Sequence, residues 1–137
     1  MSQEDIGQEP VWIRREALLL KHADSLRLFG GAEGIREPGT LDSALMRPVN
    51  LLSYEPNTRL ARLAVAYAFG IAKNHPFVDG NKRAAFLACV AFLKLNGFDL
   101  QAPQPETYRA MVALAAGEMP EDAFAEWLDT YMQARPL

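Results

Sequence analysis

Residues 74–83 read Asn-His-Pro-Phe-Val-Asp-Gly-Asn-Lys-Arg, which puts an imidazole, a carboxylate and two cations within ten positions. The chemistry open to such a set is transfer of a group from a polyphosphate. His75 can take the proton of an attacking hydroxyl. Asp79 repels phosphate, so its natural use is to hold a Mg2+ ion that bridges phosphate oxygens. Gly80 lets the main chain approach a phosphate with no Cβ in the way. Asn81 either caps the helix that follows or ligates the phosphate–metal group. Lys82 and Arg83 add two full charges at a helix start, where unpartnered N–H groups and the dipole already favour an anion. Each residue also has an ordinary use: a solvated histidine, an Asp-Gly turn, a basic pair facing water. Two cations at the positive end of a helix are placed against the dipole, and that placement makes sense when an anion is bound there.

Those groups lie between two apolar segments that must position them. Residues 57–73 predict a helix capped by Asn57 or Thr58 and apolar nearly all round, hence interior. Pro76 and Gly80 break it, Phe77 plugs the loop into the core, and a second apolar helix runs over about 81–96 until Gly97. Val11–Ile13 has the character of a short strand. Leu18, Leu19, Ala23, Leu26 and Phe29 recur at helical spacing over 14–29, and Gly30 and Gly31 end that helix. A glycine-rich loop spans 31–39, then a short helix from Thr40 to about Arg47 is stopped by Pro48. Residues 104–116 form a further helix. The last starts near Pro120, with Phe124, Trp127, Leu128 and Met132 on one side. The sum is an all-α fold of five or six helices: a loose tail over 1–10 and one domain over 11–137, with the candidate loop between two central buried helices.

With 137 residues, 50% hydrophobic and 23% charged, the chain suits one soluble globular domain. Its net charge of −3 speaks against a general nucleic-acid binder, which shows a basic face. The longest apolar run, 84–93, falls short of the roughly 20 residues of a membrane helix, and the acidic N-terminus has no signal core. The single cysteine, Cys89, excludes an internal disulfide and reads as a small buried hydrophobe, which fits a reducing cytoplasm.

The run His-Pro-Phe-Val-Asp-Gly-Asn-Lys-Arg resembles the signature of the Fic superfamily, H-x-F-x-(D/E)-G-N-(G/K)-R. Every defining position is filled, by His75, Phe77, Asp79, Gly80, Asn81 and Arg83. The form with Lys82 is similar to the Doc (death-on-curing) branch, and residues 34–48 resemble the segment that this branch carries ahead of the signature. The likeness covers roughly residues 10–132. It implies a compact helical domain that transfers part of ATP to a protein hydroxyl. Most Fic enzymes transfer AMP, and their signature continues G-N-G-R-x-x-R. Here Lys82 replaces the second Gly and Phe86 stands where the last Arg would be. Both changes alter how a triphosphate lies.

The Doc branch implies a kinase that moves the γ-phosphate to a Ser or Thr of elongation factor Tu and halts translation, as the toxin of a type II toxin–antitoxin pair. P-loop and protein-kinase motifs are absent, so this loop would have to do the work. Carried over, His75 is the general base, Asp79 holds Mg2+, and the main chain at Gly80 with Asn81, Lys82 and Arg83 cradles phosphates. Arg36 is a weaker candidate, on a flap that positions the protein substrate. Lys73 is another. No (S/T)-x-x-x-E-(G/N) inhibitory motif occurs, which implies inhibition in trans by a Phd-like antitoxin whose disordered segment folds into an apolar groove. The rivals are AMP transfer on the same loop, a catalytically inactive binding module, and a ribonuclease built on Arg15 and His22, which share a helical face.

Overall fold

A computed structural model describes residues 9–136; residues 1–8 of the expected tail lie outside the described residues. The centre of the molecule is a helix of small and apolar residues, α3 (Leu60–Asn74), whose Leu63, Ala64, Val65, Tyr67, Ala68 and Ile71 are all sealed from solvent. With so many alanines its neighbours approach closely on several sides. α4 (Asn81–Leu95) and α2 (Pro38–Tyr54) pack most extensively against it, and α6 (Glu121–Tyr131) covers a third side. α1 (Arg15–Phe29) lies on α4, and α5 (Gln104–Ala116) closes the end of the bundle. Among the described residues, six helices with the candidate loop between the two central ones, α3 and α4, meet the expectation of an all-α fold. The core is a single cluster in which Tyr67, Phe77, Phe92 and Phe124 are the largest fully buried side chains. Cys89 is fully buried within it. No described helix is long and apolar enough to cross a membrane.

The structure corrects the sequence reading at four places. Pro48 does not stop α2; the helix begins with Pro38 at its N-terminal turn and runs through Pro48 to Tyr54. A proline here forfeits one helical hydrogen bond, but Leu41, Ala44 and Pro48 are buried against the core and Leu51 and Leu52 pack on it, so tertiary burial outweighs the local defect. Neither Asn57 nor Thr58 caps α3. Thr58 turns its hydroxyl back to the Glu55 carbonyl, and the N-cap is Arg59, whose side chain does not cap the helix but donates to Asp129. Val11–Ile13 is not a strand. The Val11 N–H and C=O are both satisfied by the side-chain amide of Asn96, at 2.8 and 3.0 Å, and the Ile13 N–H donates to the Tyr67 hydroxyl. A small antiparallel ladder forms instead between β1 (Phe98–Leu100) and β2 (Met132–Ala134), with Phe98 opposite Ala134. Met132, expected on the last helix, belongs to that strand.

Candidate active site

The loop begins where α3 ends. His75 is the C-cap of α3, its N–H still bonded to the Ile71 carbonyl, and its backbone is left-handed at φ 50°, ψ 57°. It is the one non-glycine among the described residues with positive φ. A histidine there carries a backbone cost that only its surroundings sustain, a feature concentrated at functional sites. Its side chain is exposed. The chain then dives: Pro76 and Phe77 are buried, and Phe77 anchors the loop as expected.

Asn81 does not cap α4. Its Oδ1 accepts the Phe77 N–H and its Nδ2 donates to the Phe77 carbonyl, both at 3.0 Å. Phe77 is buried and off any helix, so its two main-chain groups would otherwise lack partners, and the amide satisfies both. The N-cap of α4 is Gly80, in the left-handed region at φ 74°, with no side chain capping the helix. The mouth of α4 therefore keeps its free donors.

Asp79 stands at that mouth, exposed, with its carboxylate held by two main-chain donors: Gly80 N–H to Oδ1 at 3.1 Å and Ala32 N–H to Oδ2 at 3.2 Å. Lys82 is exposed on the first turn of α4. Arg83 is half-buried and donates to the carbonyls of Ser25 (3.3 Å) and Gly30 (2.9 Å), with its guanidinium over the exposed Phe29 ring. The end of α1 presents orphan carbonyls and a negative dipole end, and a guanidinium with five N–H donors serves them with donors to spare. A Cβ at Gly31 would meet Leu26 at 2.8 Å, Asp79 Oδ2 at 3.2 Å and Arg83 Nη2 at 3.4 Å, so the α1–α2 connection is pressed against the site.

That connection also runs alongside the loop. Val78 N–H donates to the Gly34 carbonyl and Arg36 N–H to the Pro76 carbonyl, which bridges Ile35 to Phe77 as in an antiparallel pair. The Arg36 guanidinium turns onto the loop main chain, to the carbonyls of His75 and Asn74. Lys73 goes elsewhere. Its ammonium lies 5.8 Å from the centre of the Phe69 ring and beside Gly117 at the end of α5.

His22 is the site component that sequence reasoning missed. It is only 4% exposed, its ring is stacked on Phe77 with centroids 3.7 Å apart, and its Nε2 lies 2.8 Å from the Asp79 carbonyl. A carbonyl only accepts, so this nitrogen carries the proton. The ribonuclease pairing fails here: His22 faces the loop, and Arg15 is bonded to Asp42. A signal was present, since His22 stands four residues from both Leu18 and Leu26 and so shares their inward face. Between α1 and the Gly34–Ile35 segment lies an apolar cleft of about 160 Å³, lined by Leu19, His22, Ala23, Leu26 and Phe77 among others. It is smaller than the roughly 300–1,000 Å³ typical of small-ligand pockets.

Residues 12–93 match the model of the Fic/DOC family. The chain is 30% identical over 116 residues to "Protein kinase doc" of Escherichia phage P1, covering 85% of this chain and 91% of that protein. It is 41% identical over 75 residues to "Toxin Doc" of Mycolicibacterium smegmatis, covering 54% of this chain and 58% of that one. The chain belongs to the Fic/DOC family, on the Doc branch of the Fic superfamily.

Proposed function

We propose that this protein is a cytoplasmic toxin of a type II toxin–antitoxin pair. It acts as a kinase, transferring the γ-phosphate of ATP to a Ser or Thr hydroxyl of a translation factor, with elongation factor Tu the first candidate. The observation that carries this reading is the pairing of an exposed left-handed imidazole, His75, with the uncapped start of α4 six residues on. The name of the phage relative supports a kinase and that of the mycobacterial one a toxin.

In the proposed reaction the target hydroxyl oxygen bonds to the γ-phosphorus, the bond from that phosphorus to the β–γ bridging oxygen breaks, and ADP leaves. His75 takes the hydroxyl proton. The free N–H groups at the start of α4, Lys82 and the spare donors of Arg83 face the phosphates and offset their charge. Among the described residues no cluster of three or more His, Cys, Asp or Glu gathers for a metal. A cation on Asp79 would complete its shell with phosphate oxygens and water, which is the habit of Mg2+. Bound there, Mg2+ would neutralise charge on the β- and γ-phosphates. The two main-chain bonds to Asp79 fix the direction of its carboxylate before any ligand arrives. A Phd-like antitoxin, docking as a helix in an apolar groove, is the proposed inhibitor.

The test is to incubate purified elongation factor Tu with this protein and ATP labelled at either the α- or the γ-phosphate. Label from the γ position, lost with His75→Ala, is the expected result. Label from the α position would replace the kinase with an AMP transferase. No label from either would leave a binding module.

A further inference from the structure

One residue of the α1–α2 connection holds three consecutive carbonyls of the signature loop. Arg36 donates from Nη2 to the Asn74 carbonyl at 2.8 Å, from Nε to the His75 carbonyl at 2.7 Å, and from its main-chain N–H to the Pro76 carbonyl at 2.7 Å. The first two acceptors lie at the C-terminus of α3, where carbonyls lack helical partners and the dipole is negative. Charge-assisted bonds of this length are among the stronger ones in proteins. They converge on the one non-glycine of the described chain held in the left-handed region, His75. Arg36 itself is exposed, so core packing does not explain its placement.

We infer that Arg36 is a positioning residue: its guanidinium fork fixes the left-handed backbone of His75 and so aims the imidazole, rather than contacting the protein substrate. The rigid edge formed by Nε and Nη2 matters. An ammonium in its place keeps the charge but lacks two donors in one plane. The catalytic part of this inference rests on the proposed kinase reading; the structural part does not.

The experiment has two arms, run on the full chain with Arg36→Lys and Arg36→Met. The structural arm solves both variants by crystallography, alongside the parent. The expected result is that His75 leaves positive φ, or its ring is displaced, in both variants. An unmoved His75 would overturn the inference. The kinetic arm measures transfer from γ-labelled ATP. A fall in kcat of about 10- to 100-fold is expected, with KM for ATP and for the protein substrate unchanged and no rescue by lysine. In a His75→Ala background, Arg36→Met should then have no further effect, because both changes remove the same function. A raised KM for the protein substrate at unchanged kcat would overturn the inference in favour of substrate docking. Should the parent transfer no phosphate at all, the kinase reading falls, and the structural arm alone decides the role of Arg36.

Discussion

His75 combines an exposed ring with a backbone that glycine would adopt more readily. Stability and activity therefore pull apart at this position. His75→Gly is expected to leave the fold intact, with stability unchanged or raised by up to about 1 kcal/mol, read from the urea midpoint. Phosphate transfer should drop by about 10²- to 10⁴-fold. The opposite balance holds at His22. Its ring fills space against Phe77 and its Nε2–H satisfies the Asp79 carbonyl. His22→Leu keeps much of the volume and removes the donor, so it should lower stability by about 1–3 kcal/mol in a denaturant titration and weaken activity through a loosened Asp79. Asp79→Asn keeps the acceptor shape for Ala32 or Gly80 but removes the charge. The expected sign is a large rise in the Mg2+ concentration needed for half-maximal transfer, measured by metal titration after chelation.

The elements meet at places where a side chain is missing as much as where one is present. Gly70 lies at the crossing of α3 with α2, and a Cβ there would sit 3.3 Å from the Ala44 Cα and from the Arg47 side chain. Gly70→Val would have to push the two helices apart. A loss of about 1–3 kcal/mol is expected from such overpacking, visible as a lowered thermal midpoint. The same contact region holds α2 to α6 through the two-pronged Arg47–Glu121 pair, at 2.6 and 2.9 Å, with Arg62 also on Glu121. Those bonds cross the N-terminal half of α3, where Arg47 also donates to the Ala66 carbonyl. At the other end, α1 and α4 are coupled by Arg83 bridging from the first turn of one helix to the last carbonyls of the other.

At the scale of the whole molecule, complete burial of Cys89 in the shared core pushes its thiol up to about 12 from 9.0. The neutral thiol is the form the fold prefers, so the fold gains its full benefit below pH 9. Above that the unfolded chain gives up the proton first. Stability then falls by about 1.4 kcal/mol per pH unit from this group until the folded thiol titrates near 12. Tyr67 is also raised by burial, so the contribution of Cys89 is isolated by comparing unfolding titrations of the parent and Cys89→Ala between pH 8 and pH 10, as about values that bracket the unfolded thiol. The native protein should also resist thiol reagents at neutral pH and react only on unfolding.

By itself the sequence determined the helical class, the two apolar helices at the centre and the polar loop between them. These follow from local periodicity and from residues such as Pro76 and Gly80 that act on their own backbone. It also marked His75, Asp79 and Gly80, because their chemistry is carried by residue type. The tertiary structure alone decided that Pro48 stays inside α2, that Asn81 closes the loop instead of capping α4, and that β1 pairs with β2. It alone brought His22, Ala32 and Arg36 onto the loop. The physical reason is range. Each of these outcomes depends on burial or on a hydrogen-bond partner brought in by folding, and most partners lie 39 to 57 positions away along the chain, where no local pattern reaches.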